Sequence, residues 1–201
     1  MTLVETRLAR KAEQLACIMG CGHGDMPDTL YSWKSRIIGE ASLDEQVVCA
    51  ALLSDVLSRI AATKQITDDD FKRLSVYGFS QEMLDALEVL REKNGVSYED
   101  YIKAVMGNDI ARRTRIADLK VHIAVTVANK MKRDWLFSAR RFALKILVGR
   151  ENRRRLMDED AAASLEETPE ETLLLERLGR GVERCLQNQT LGSQDLSEDE
   201  E

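Results

Sequence analysis

The chain of 201 residues can bury one main hydrophobic core with appendages, but not a series of large independent domains. With 44% hydrophobic and 32% charged residues but only two prolines and eleven glycines, it is too apolar for general disorder and too poor in turn formers for an all-β fold. A mostly helical protein is what remains, and its net charge of -6 gives no global attraction to nucleic acid or to an anionic membrane. The longest apolar stretches, Gln46 to Ser54 and Val121 to Asn129, are about half of the roughly 18 residues a membrane helix needs, so no membrane partner is expected. Glu5, Arg7, Arg10 and Lys11 interrupt the N-terminal segment and argue against a cleaved export leader, which gives a cytoplasmic expectation. Four cysteines, Cys17, Cys21, Cys49 and Cys185, make no disulfide framework in a chain of this length and are read as reduced.

In chain order, Thr2 and Glu5 form a capping box before an apolar stripe at Val4, Leu8, Ala12, Leu15 and Met19. Gly20, Gly22, Gly24 and Pro27 break that helix, and Tyr31 to Ile38 is a short helical segment. A second capping box, Ser42 with Glu45, opens the most apolar stretch, from Val47 to Ile60, which is apolar on nearly all sides and so belongs at the centre of the fold. Thr67 to Asp70 supplies a cap and first-turn acids for a helix through Phe71 and Leu74 that stops at Gly78. Ser80 starts the next helix, which ends at Asn94 and Gly95. Ser97 and Asp100 start another, and the pattern Ile116, Leu119, Ile123, Val127 continues from Asp109 to about Lys130. That makes seven helices and no strand up to this point.

Charge then separates along the chain. Lys130 to Arg155 carries ten cationic side chains against two acids, a net of +8, and Asp158 to Glu201 carries three arginines against fourteen acids, a net of -11. Within the first stretch Trp135, Phe137, Phe142, Ile146 and Leu147 alternate with the cations as in an amphipathic helix whose long side chains edge a buried stripe. An RNA, phosphate or acidic-partner surface is the less favoured reading, and Arg150, Arg153, Arg154 and Arg155 are its expected contact. Pro169 to Leu186 reads as an amphipathic helix with proline in its first turn and acids at its positive end, docking on the basic helix of its own chain in preference to a partner's.

The run Cys49-Ala-Ala-Leu-Leu-Ser-Asp-Val56, then Ser97-Tyr-Glu-Asp-Tyr-Ile102, then Thr114-Arg-Ile-Ala-Asp-Leu119, resembles the HD-domain phosphohydrolases of the RelA/SpoT type, which remove pyrophosphate from guanosine tetraphosphate. Small members of that family carry Leu-Leu-His-Asp-Val, Tyr-Glu-Asp-Tyr and Lys-Leu-Ala-Asp-Leu in this order, and Gly78-Phe79 and Tyr31 fit the same frame. The resemblance covers residues 5 to 145 and implies an all-α, HD-domain-like helical bundle. It also implies a divalent metal, typically manganese, held by three histidines and two aspartates. At those positions this sequence has Gly20, Lys34 and Ser54 in place of histidine, while Asp55 and Asp118 remain. The family's water-positioning acidic pair aligns with Ser58 and Arg59, and an asparagine becomes His122. Three missing ligands imply a loss of at least roughly 10³ to 10⁶ in metal affinity, about 4 to 8 kcal/mol.

A rebuilt metal site from Asp55, Asp118 and His122, with His23 swinging in, is the sharper alternative, since Asp118 and His122 stand at i and i+4. The favoured reading makes Asp118 and Arg115 a buried ion pair. Zinc at Cys17, Cys21 and His23 lacks a second cysteine pair, and a Ser54, His122, Asp118 triad lacks a nucleophile elbow. The expectation is therefore an HD-like helical domain at residues 1–150, an acidic amphipathic helical extension at 151–192 and a disordered acidic tail at 193–201. It carries a vestigial pocket of Lys34, Ser54, Asp55, Ser58, Arg59, Arg115, Asp118 and His122. Such a protein has lost metal-dependent catalysis, needs no cofactor, and acts as a binding or regulatory module for a nucleotide or protein partner or as a homo-oligomer. The alternative is an active, manganese-dependent nucleotide (pyro)phosphohydrolase whose ligands have moved.

Overall fold

The computed structural model describes residues 6–20, 37–39, 41–63, 73–91, 95–128, 135–157 and 165–194, with the side chains at 17–20, 55–56, 58–63 and 183–194 outside that description. All regular structure among the described residues is helical. In chain order the helices are α1 (Arg7–Gly20), α2 (Glu45–Thr63), α3 (Gln81–Leu90), α4 (Tyr98–Gly107), α5 (Asp109–Ala128), α6 (Trp135–Arg155) and α7 (Pro169–Gln194). No helix among them is long and apolar enough to cross a membrane. The chain divides into two compact units: residues 1–95 with 103–121, and residues 96–102 with 122–201.

The first unit is organised around α2. Every residue from Val47 to Leu53 is at most 1% exposed, as a helix apolar on nearly all sides requires. Ala9, Ala12 and Leu15 of α1 and Met83, Leu84 and Leu87 of α3 belong to the same core. The two alanines sit at i and i+3 with no exposure, so the backbones of α1 and α2 can approach closely. Ala51 of α2 also forms a second buried cluster with Ile38 and Ala117, against which Val121 packs, and this sets the inward side of α5. Cys49, free and fully buried, has its thiol pushed up to about 12 by burial and by the charges of Glu45 and Asp44, so it stays protonated.

Local signals set most of the helix starts. Ser80 accepts a hydrogen bond from the Met83 amide at the head of α3, and its hydroxyl donates to Gln46 Oε1 of α2 at 2.7 Å. Ser97 accepts from the Asp100 amide at the head of α4 and donates to the Asp100 carboxylate at 2.7 Å. Gly78 takes φ of 90°, the left-handed conformation that stops the helical pattern where glycine was expected to stop it. The stop expected at Asn94 and Gly95 comes earlier: α3 ends at Leu90, where Arg91 turns to an extended conformation and its amide still donates to the Leu87 carbonyl, and Gly95, at φ 82°, lies beyond that end. α6 runs unbroken through residue 150 to Arg155, and α7 continues to Gln194. The expected capping box at Thr2 and Glu5, most of the Tyr31 to Ile38 segment and the Thr67 to Asp70 start lie outside the described residues. The first described helix is capped by Thr6, whose Oγ accepts from the Ala9 amide.

The cap of α2 differs from expectation. The spacing predicts Ser42 as the capping residue, but Asp44 takes that place: its Oδ1 accepts from the Gln46 amide at 2.9 Å and its carbonyl from the Val48 amide, while Ser42 supports the turn by accepting from the Asp44 amide. A carboxylate satisfies the helix start better than a hydroxyl because it also meets the positive end of the helix dipole. Its other oxygen, Oδ2, accepts from Arg113 Nη1 of α5 at 2.7 Å. Burial by itself would raise the Asp44 pKa, but Arg113 and the Gln46 and Val47 amides outweigh it and hold the carboxyl below its ordinary 3.8.

A lowered folded-state pKa means that the stabilisation is complete above the unfolded value and is lost as pH falls through the folded one. In urea titrations at pH 7, Asp44→Ala should lose about 1 kcal/mol more than Asp44→Asn, which keeps a capping acceptor. The gap between the wild type and Asp44→Asn should narrow as pH is lowered from 7 towards 3. A gap that stays constant with pH would refute the assigned role of the Arg113 pair.

Candidate functional site

Of the pocket residues singled out by sequence, those with described side chains are Ser54 on α2 and Arg115, Asp118 and His122 on α5. Asn108 caps this helix, its Oδ1 accepting from the Ala111 amide and its carbonyl from the Arg112 amide, both at 2.9 Å. Arg112 follows at 2% exposure, with Nη1 donating to the Met106 carbonyl at 3.0 Å and Nη2 to the Asp109 carboxylate. Its guanidinium thereby satisfies a carbonyl at the end of α4 and fixes the junction between two helices. Sequence reasoning missed Arg112, because no local pattern tells an inward arginine from the outward ones beside it.

One turn further on, Arg115 Nη1 donates to Asp118 Oδ2 at 2.7 Å. Both side chains are largely buried, at 17% and 10% exposure, so the pair is an internal one and not a solvated surface bridge. This is the ion pair favoured from sequence. Thr114, four residues before Asp118 and therefore on the same face, is 2% exposed, and its hydroxyl makes no hydrogen bond within the described structure. His122 occupies the next turn, half-buried, with its carbonyl accepting from the Thr126 hydroxyl at 2.8 Å. Ser54 of α2 is half-buried and donates its hydroxyl proton to the Ala51 carbonyl, a local helix bond and not a contact with a base. Asp55, Ser58 and Arg59 stand on the α2 backbone, but their side chains lie outside the described residues, as do Lys34, His23 and Cys21 entirely and the Cys17 side chain.

These residues do not suit the divalent metal that the resemblance implies. Among the described residues no three His, Cys, Asp or Glu side chains converge. Gly20, Lys34 and Ser54 stand where the resemblance would place histidine, and the described carboxylate of the set, Asp118, already receives a guanidinium.

The second candidate region is the cationic end of α6, in the second unit. Glu171 of α7 is 5% exposed, and its Oε2 accepts from Arg153 Nη2 and from the Thr168 amide, while Arg150 Nη1 lies 3.8 Å from the same oxygen. Arg150 also donates to the Leu165 and Glu166 carbonyls, and Lys145 donates to Glu170 at 3.0 Å. Thr168 accepts from the Glu171 amide in return, a reciprocal capping box written in the sequence as Thr168-Pro-Glu-Glu171. Leu174, Leu175 and Leu178 carry the apolar face of α7 into the interior. The acidic helix thus docks on the basic helix of its own chain. Of the four expected polyanion contacts, Arg150 and Arg153 serve this docking, Arg154 is half-buried, and Arg155 is exposed beside Glu151. Among the aromatics of α6, Phe137 is buried under the Arg141 guanidinium and Trp135 is half-buried, which fits the amphipathic-helix reading.

No protein-family model matches the sequence, and no curated protein matches it significantly.

Glu171→Gln keeps the shape of the capping box and removes the anion shared by two arginines. Urea denaturation should show a loss of about 2 kcal/mol, below the full cost of breaking a buried pair because Arg153 is partly exposed. Glu176→Gln, at an exposed i,i+4 pair on the same helix, should change stability by less than about 0.5 kcal/mol. Equal effects from the two substitutions would contradict the assignment of Glu171 as the docking anion.

Proposed function

We propose that this protein is an HD-domain-like helical protein of the RelA/SpoT-resembling type that has lost metal-dependent phosphohydrolysis and works by binding, as a regulatory module. The observation that carries the reading is the buried Arg115–Asp118 pair: the carboxylate at the retained ligand position of the Ala-Asp-Leu motif is engaged by a guanidinium. Support comes also from the residues at the other ligand positions. Lys34 would repel a divalent cation, Gly20 offers no donor atom, and the Ser54 hydroxyl is used within α2. The all-α architecture agrees with such a fold without singling it out. The resemblance makes a nucleotide the ligand of such a module, and a regulatory role makes a protein its partner.

Full-length protein incubated with guanosine tetraphosphate and manganese, magnesium, iron(II) or cobalt in turn should release no pyrophosphate above the protein-free control. Metal-dependent release that saturates with substrate and disappears in Asp118→Asn would return the protein to the active hydrolases.

A further inference from the structure

We infer that Arg115 is the resident cation of the α5 site: its guanidinium supplies the positive charge that Asp118 requires, so the folded protein takes no divalent metal there. This inference rests on the non-catalytic reading above. A carboxylate on a buried helix face is strongly disfavoured unless a cation and hydrogen bonds accompany it. The structure supplies that cation covalently, from the i-3 position of the same helix, with its Nη1 2.7 Å from Asp118 Oδ2.

Three physical differences separate this cation from a metal ion. A guanidinium keeps its charge throughout the accessible pH range, so the pair does not depend on deprotonating any ligand. Its place is set by helix geometry and needs no converging set of donors, and among the described residues no such set exists. A divalent ion reaching bonding distance of Asp118 would also have to stand beside a fixed positive charge, which opposes its entry. The resemblance places lysine where this chain has Arg115. The exchange matters because arginine presents a planar fork of donors to a carboxylate, whereas lysine presents a compact, strongly hydrated charge that is less suited to a lasting buried pair.

The test is a thermal melt of full-length wild type, Arg115→Gln, Asp118→Asn and the double variant, each in chelator and in millimolar manganese chloride. Wild type should melt at the same temperature in both. Arg115→Gln, which leaves a buried carboxylate without its guanidinium, should melt lower by roughly 5 °C, and adding Asp118→Asn should restore at least half of that loss. If Arg115→Gln does not fold, Arg115→Lys takes its place. It should melt between wild type and the unfolded limit, and adding Asp118→Asn should not lower it by the amount that Asp118→Asn lowers wild type. A wild-type melt that rises by several degrees in manganese, a double variant whose loss is the sum of the single losses, or an Arg115→Gln protein as stable as wild type would each overturn the assignment. Hydrolysis of guanosine tetraphosphate by a protein whose melt ignores metal would sink the functional reading alone. Metal-dependent melting without hydrolysis would sink this inference alone.

Discussion

A helix enclosed on every side by protein imposes conditions on everything that touches it, and in this molecule α2 is that helix. With residues 47–53 all but removed from water, its neighbours must approach from several directions, which the small side chains of Cys49, Ala50 and Ala51 permit. The contact of Ala51 with Ala117 and Val121 fixes which side of α5 faces inward. Thr114 and Asp118 adjoin that contact in the helical register and are carried into burial with it. A charge brought inward in this way must be compensated nearby, and Arg115 stands one turn away. The character of the candidate site is thus a consequence of how α2 is packed.

The same device recurs at three carboxylates. Asp44 caps α2 with one oxygen and holds Arg113 with the other, Asp118 holds Arg115, and Glu171 caps the lead into α7 while holding Arg153. In two of the three, one acidic group satisfies helix-start amides and a guanidinium together. That combination is favourable because the helix dipole and the arginine place positive potential at the same point. Among the described residues, the Lys130–Arg155 and Asp158–Glu201 stretches of opposite net charge meet through specific bonds of this kind, with leucines beneath them.

The helices themselves were legible in the sequence because their signals are local. The caps of Ser80 and Ser97, the turn at Gly78 and the start at Pro169 act on atoms within four residues, and the apolar periodicities of α2, α3 and α5 follow from the helix alone. At the head of α2, Ser42 and Asp44, two residues apart, both satisfy the capping pattern; Asp44 takes the cap with one oxygen and with the other holds Arg113, 69 residues away. The site was legible in part. Asp118 and Arg115 are neighbours on one helix turn, and their pairing follows from spacing. The inward turn of Arg112 and the burial of Thr114 depend on contacts that no window of sequence contains.

What the sequence by itself determined is the helical character of the described residues, the position of most helix starts and the central place of α2. These depend on residue identity and short-range backbone geometry, which are the same before and after folding. Tertiary structure alone decided which oxygen of Asp44 meets α5, which arginines of α6 are committed to α7, and which polar groups on α5 are sealed from water. Each of those outcomes depends on the faces that two helices present to each other, and a face is chosen by the total area that packing buries, not by any single residue on it.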